Sequence, residues 1–458
     1  MTTPVLLWFR GDLRLSDQAA LLAAVEEGPV IPVYILDDDT PKHRKMGGAS
    51  RWWLHHSLES LDASLREKGS RLILRQGNSV EVLAALAEET GATRVHALRH
   101  YEPWWINAEK QVGETLDLCL HDGNYLLPPG TVRTGSGGLF KIYTPFWRAL
   151  SQHMPPPEPR AAPKAIPALA KWPESDNLKD WALLPSKPDW AKGFADEWSP
   201  GEADAARRLE DFVPEAVAYD EARNLPSQEG TSRLSPHLHF GEISPAAVWH
   251  TISKVRGNPE TYLKEIVWRD YAQNVIVQLP TYGKDNGRPQ FDAMPWRDLR
   301  EAGADFKAWT EGRTGYPIVD AGMRQLWATG WMHNRVRMIA ASFLIKHLLI
   351  DWRHGEQWFW DTLVDADYGS NATNWQWVAG SGVDANMFVR IMAPLTQSPK
   401  FDAGHYIRQW VPELAGVSGD AVHDPEAHGC RPSAYPKKII GHREARERAL
   451  AAHMHVKA

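Results

Sequence analysis

The chain has 458 residues, 43% hydrophobic and 24% charged, a globular composition that excludes a disordered or collagen-like chain and predicts two domains. A net charge of 51 − 57 = −6 argues against blanket nucleic-acid affinity but permits a local basic patch. Two cysteines, Cys119 and Cys430, exclude a disulfide framework, a four-cysteine zinc site and a four-cysteine iron–sulfur cluster, and no apolar run is long enough to span a membrane.

Met1-Thr2-Thr3-Pro4 leads straight into Val5–Phe9, without the basic and apolar regions of a secretory signal, so a cytoplasmic protein is expected. Short apolar runs at Val5–Phe9, Val30–Ile35, Arg71–Arg75 and Arg94–Leu98 read as buried parallel strands. Helical stretches lie between them at Asp17–Glu27, Ser50–Lys68 and Ser79–Glu89. Asp17 and Ser79 stand where N-caps belong, and Gly28 and Gly69 follow helix ends. Strand–helix alternation predicts a doubly wound α/β domain with a parallel sheet, but no G-x-G-x-x-G follows the first strand. From Met154 to about Pro200 prolines recur, which predicts an extended surface connector with some helix inside it. Beyond Glu202 the pattern is helical, as in Ala203–Val213, Pro259–Gln278, Ile318–Thr329, Asn334–Ile350 and Glu356–Leu363, so the second domain is expected to be all-α.

Three clusters in the helical part carry chemistry. Gly230-Thr231-Ser232-Arg233-Leu234-Ser235 offers amides, hydroxyls and a guanidinium at a helix start, suited to phosphate oxygens but equally to an ordinary cap. Glu265, Trp268 and Arg269 share one helix face, fit either to grip a base or to form a Glu265–Arg269 pair beside a half-buried indole. The third cluster joins Gly330–Met338 with Asp365-Ala366-Asp367 and Asn374-Trp375-Gln376-Trp377. Its two aspartates at i and i+2 lack further acidic ligands, so an organic cofactor ranks above a metal and no metal is expected. His333 alone reads as a structural histidine. Twenty-two tryptophans, more than Phe or Tyr, suit either a Trp-rich core or stacking and relay positions.

Trp8–Asp17, Gly230–Ser235, Trp268–Tyr271, Thr314–Ala321, Trp331–Arg337, Asp351–Arg353 and Asn374–Trp377, in that order, resemble the photolyase/cryptochrome family, in particular photolyases that act on cyclobutane pyrimidine dimers. The resemblance implies an antenna-binding α/β domain at 1–130, a Pro-rich linker at 131–200 and a helical domain at 201–458 that holds FAD and the DNA lesion. Position by position, Tyr219 and Thr231-Ser232-Arg233-Leu234-Ser235 match contacts to the flavin phosphates and ribityl chain. Asn334, Arg337, Asp365 and Asp367 match residues lining the flavin, together with Trp268, and Asn371 matches the residue facing flavin N5, where plant cryptochromes carry Asp. Glu265, protonated when buried, would hydrogen-bond the damaged bases, with Trp268 and Trp377 as apolar walls and Met338 packed against the dimer.

By the same resemblance Arg269, Arg335 and Arg390 would meet phosphates around the lesion. Trp375 and Trp352 match the inner members of an electron relay, with Trp296 as the surface member and Trp309 or a tyrosine as its alternative. Trp104 and Trp105, in Tyr101-Glu102-Pro103-Trp104-Trp105, lie where relatives place antenna contacts. Methenyltetrahydrofolate is the first expectation there, with a deazaflavin or no antenna at all as the alternatives. The implied function is blue-light repair of ultraviolet-damaged DNA by an FAD-dependent lyase that flips the dimer out of the helix, a general property of enzymes acting on stacked bases. A cryptochrome-like photoreceptor is the alternative, and (6-4) photoproduct repair ranks below it because those enzymes carry a second histidine where Asn334 stands. A monomer is the default, and no membrane partner is expected.

Overall fold

The computed structural model describes residues 3–457. The chain divides into two compact units, one comprising Met1–Asp189, Trp198–Val217 and Ser232–Pro280, the other Trp190–Glu197, Ala218–Thr231 and Thr281–Ala458.

The first unit is built on β1 (Val5–Phe9), β2 (Val30–Leu36), β3 (Ile73–Gln76), β4 (Arg94–Leu98) and β5 (Asp117–His121), all parallel, in the order β3-β2-β1-β4-β5. Every residue of β1 and β2 is buried, as expected of central strands covered on both faces by α1 (Ala19–Glu27), α2 (Gly48–Glu67), α3 (Ser79–Thr90) and α4 (Pro103–Thr115). The fifth strand, Asp-Leu-Cys-Leu-His, is not among those the apolar runs predict. It lacks β-branched residues and is half exposed, because an edge strand does not need the apolar run of a central one. The other edge, β3, is covered by the Pro-rich connector: Asp176 N donates to Leu74 O at 2.8 Å and Leu74 N to Ser175 Oγ at 2.9 Å.

Two expected caps are displaced by one residue. Gln18, not Asp17, caps α1, and Asn78, not Ser79, caps α3. An N-cap must be extended, whereas Asp17 is left-handed at φ 50° and Ser79 already lies inside its helix, its N donating to Asp37 Oδ2. At the end of β1, where a doubly wound sheet opens its crevice, the chain fills the space itself. Leu13 N donates to Phe240 O at 2.9 Å, and a Cβ on Gly241 (φ +65°) would lie 2.4 Å from Gly11 O. Only glycine permits that approach. This agrees with the missing dinucleotide fingerprint. Further along, α5 (Tyr143–Leu150), α6 (Glu202–Phe212), α7 (Ser235–His239), α8 (Pro245–Ile252) and α9 (Glu260–Gln278) complete the unit.

The second unit is helical: α10 (Leu299–Thr310), α11 (Pro317–Thr329), α12 (Asn334–Ser342), α13 (Trp352–Thr362), α14 (Tyr368–Ala379), α15 (Gly404–Trp410) and α16 (His442–Lys457) enclose one apolar core. The expected helix Asn334–Ile350 is not continuous. After Ser342 it widens into a π turn, Phe343–His347, and Leu349 then turns left-handed at φ 54°. The Thr314–Ala321 motif proves structural. Asp320, fully buried, accepts from Thr314 N and Oγ1, Gly315 N and Tyr435 Oη at 2.6–3.0 Å, pinning the start of α11. No helix among the described residues is long and apolar enough to cross a membrane.

Candidate functional site

In the first unit the residues singled out gather around α7 and α9. The stretch before α7 is compact: Ser232 Oγ lies 2.9 Å from Tyr262 Oη and accepts from Leu234 N at 3.3 Å. Arg233 is left-handed at φ 51°, Leu234 is buried and takes the cap position, and Ser235 is exposed. On α9, Glu265 and Trp268 are half-buried. Trp268 is held rigidly. Tyr143 stacks on it with ring centroids 3.6 Å apart and planes 4° apart, Tyr271 meets its edge at 5.4 Å, and Tyr143 Oη donates to Lys264 O. Nothing in the sequence points to Tyr143, which lies 125 residues upstream of the indole it orients.

Arg269 does not pair with Glu265. Its guanidinium donates to the carbonyls of Asn124 and Leu238 and lies 4.6 Å from the Tyr125 ring. The adjacent Asp270 is buried, accepts from Leu126 N and Leu127 N, and is pushed up to about 7 by burial. Near the start of α4, Trp105 packs edge-on against Trp8 at 6.1 Å with Arg10 over both rings, so it serves the core, while Trp104 is half-buried.

In the second unit Tyr219 is buried with Arg223 over its ring, and Thr231 is half-buried. His333 caps α12, its Nδ1 accepting from Arg335 N at 3.2 Å, which confirms the structural reading. Asn334 is then exposed at the helix start. Arg335 bonds Asn224 Oδ1, lies 3.8 Å from Met338 Sδ and stacks on Phe401. Arg337 makes a bidentate pair with Asp365 at 2.9–3.0 Å, and Asp367 caps α14 by accepting from Ser370 N. Both aspartates thus accept hydrogen bonds from the protein. Among the described residues one group with metal-ligand chemistry occurs, His55, His56 and Glu59, far along the chain on α2.

The Asn371 amide is fixed from one side. Its Nδ2 donates to Glu356 O at 3.1 Å and Glu356 Oε1 at 2.9 Å, and Glu356 is fully buried. Its Oδ1 has no protein partner among the described residues. Nothing marks Glu356 in the sequence beyond its place in an amphipathic helix.

The three named relay tryptophans belong to this unit. Trp375 and Trp352 are buried and Trp296 is half-buried against the same core. The Trp375 indole lies against Gly355, whose hypothetical Cβ would sit 2.2 Å from it, so a side chain there would push the indole off α13. Trp309, fully buried, meets Trp375 edge-on at 6.3 Å and donates to Ala340 O. Trp377 is half-buried, and Arg390 is exposed on the segment after α14.

Residues 262–455 match the FAD binding domain of DNA photolyase, and residues 5–165 match DNA photolyase. A deoxyribodipyrimidine photo-lyase of Agrobacterium fabrum is 50% identical over 478 residues, spanning 100% of this chain and 98% of the relative. The crystal structure of a bacterial class III photolyase from Agrobacterium tumefaciens superimposes with a TM-score of 0.94 at 49% identity, covering 100% of this chain and 98% of that one. Cryptochrome-1 of Arabidopsis thaliana is 36% identical over 97% of this chain, which spans 69% of the relative. With a five-stranded parallel sheet, a helical FAD-binding domain and half of all residues shared with a full-length relative, the chain belongs to the DNA photolyase family.

Proposed function

We propose that the chain repairs cyclobutane pyrimidine dimers in DNA under blue light, as a deoxyribodipyrimidine photo-lyase that holds FAD. The observation that carries this reading is the Asn371 amide. With Nδ2 committed to Glu356, the group it offers a ligand is a carbonyl oxygen, an acceptor. An acceptor suits the N–H that a reduced flavin carries at N5, and reduction is what electron donation requires.

The residues present fit the cofactor. In the first unit the hydroxyls and amides of Ser232–Ser235 with Trp268, and in the second Tyr219, Thr231, Asn334, the Arg337–Asp365 pair, Asp367 and Asn371, are the polar and aromatic groups that would hold a flavin dinucleotide. When bound and reduced, FAD supplies the light-driven electron that opens the cyclobutane ring and receives it back. The remaining work falls to the chain. Trp268, stiffened by Tyr143, and Trp377 offer apolar faces for two unstacked bases. Glu265 is placed on the same face of α9 as Trp268 to hydrogen-bond the base edges. Arg335 and the exposed Arg390 meet phosphates, and Arg269, whose guanidinium already serves two carbonyls, acts through the loop it holds. Trp375, Trp352 and Trp296 would form a path for electrons toward the flavin, and Trp104, with Trp105 behind it, would be the surface against which a methenyltetrahydrofolate antenna lies.

The Agrobacterium relatives support repair over light sensing, and Asn371, rather than Asp, supports it independently. Asn334, where a second histidine would mark a (6-4) enzyme, supports the cyclobutane lesion. Photoreduced protein illuminated with a dimer-containing oligonucleotide is expected to restore the unlinked thymines, with no change in the dark. Retention of all dimer under light would overturn the reading.

A further inference from the structure

The π turn after α12 buries a lysine that no carboxylate balances among the described residues. Lys346 is 1% exposed, and its Nζ donates to a single partner, the carbonyl of Arg390, at 2.9 Å. The Phe388 ring lies 5.5 Å away, and no ion pair involves Lys346 among the described residues. One turn earlier Ser342 Oγ accepts from Met392 N at 3.2 Å. The residues leading into these anchors are otherwise turned outward. Met387 is 67% exposed, Val389 41%, and Arg390 is exposed, while Phe388 alone is buried. Burying a side-chain ammonium to hold one carbonyl is unfavourable unless the position of that carbonyl matters.

We infer that Lys346 is a positioning residue for damaged DNA. Together with Ser342 it fastens residues 388–392 to the continuation of α12, so that Arg390 stands at a fixed distance from Asn334, Arg335 and Met338 on that helix. The inference rests on the reading above that Arg390 meets a phosphate. Lys346 lies within the π turn Phe343–His347, a departure that the sequence periodicity conceals and that carries the residue holding this segment. Burial, with Arg390 nearby, draws the ammonium down to about 7, in keeping with a group held where it lacks a counter-charge.

The test uses the flavin-loaded protein and a dimer-containing duplex, with affinity measured across a range of salt. Lys346 touches no solvent, so a purely structural role leaves the salt dependence unchanged. Acting through Arg390, Lys346→Met weakens binding about tenfold, the size of one lost charged hydrogen bond. It also lowers the salt slope by roughly 0.7–0.9, one phosphate contact, as Arg390→Ala does. The two changes together produce less than the product of their separate effects. Lys346→Gln, which keeps an N–H donor, restores the slope, and Ser342→Ala shifts it in the same direction by less, which secures the test should the methionine variant not fold. Repair rate at saturating DNA stays within twofold in Lys346→Met, Lys346→Gln and Ser342→Ala. An unchanged slope in folded Lys346→Met or Ser342→Ala, or fully multiplicative effects, overturns the inference. A parent protein that fails to prefer dimer-containing DNA overturns instead the functional reading on which it stands.

Discussion

Residues 8–17 and residues 331–338 look alike as sequence, each setting tryptophan, paired arginines and short polar residues in a tight run. Their fates are opposite. In the first, Arg10, Asp12 and Arg14 are 5%, 1% and 1% exposed. Arg10 binds Glu109 and Leu98 O, Arg14 binds Asn124, Gly241 O, Asp17 O and Gly123 O, and Asp12 accepts from Arg10 N and Gln18. In the second, His333 and Arg337 are tied down while Asn334 is exposed and Arg335 and Met338 are half-buried. Richness in charge thus marks neither role. Polar groups sealed inside the chain build the fold, whereas Asn334, exposed at a rigid helix start, faces outward.

This contrast can be broken most forcefully at Asp12. Asp12→Ala should lower stability by about 3–5 kcal/mol, the cost of stranding buried partners, without changing flavin content per folded molecule. Thermal unfolding beside the flavin-to-protein absorbance ratio checks both halves. Next in size, Trp268→Ala should weaken dimer binding by roughly 1–3 kcal/mol of stacking. Tyr143→Leu should reproduce part of that loss by loosening the ring, as an equilibrium titration would show.

A smaller, graded effect is expected from pH. Asp270 sits near 7 in the folded chain because burial disfavours its charge, against 3.8 for a free carboxyl. The folded state then binds more protons than the unfolded one between those values. Stability contributed by this group is complete below about pH 4 and declines as pH rises through 7, by at most about 1.4 kcal/mol per unit. Asp270→Asn should flatten that limb in denaturant titrations, and an unaltered limb would show that other groups set it. Smallest of all, Arg335→Ala should weaken DNA binding by about 1 kcal/mol and reduce its salt dependence.

The first four strands and the long helices are legible because burial on two faces or one stripe writes itself into apolar spacing. Strand β5 is not, since an edge need not be apolar, and the caps Gln18 and Asn78 are masked by better-looking neighbours. The break after Ser342 is hidden because a π turn inserts no residue type of its own. Among site residues, those within compact motifs stand out. Tyr143 and Glu356 do not, because each acts on a residue that folding alone brings near: Trp268 and Asn371.

The Glu356–Asn371 contact also limits how such a protein could drift toward light sensing. Replacing the amide by the carboxyl found in plant cryptochromes would set two acids side by side in a fully buried corner, and both cannot be ionised there. One would have to keep a proton or Glu356 would have to change as well. The exchange that looks like one letter is therefore a coupled pair, and its first step would make the centre's behaviour depend on acidity.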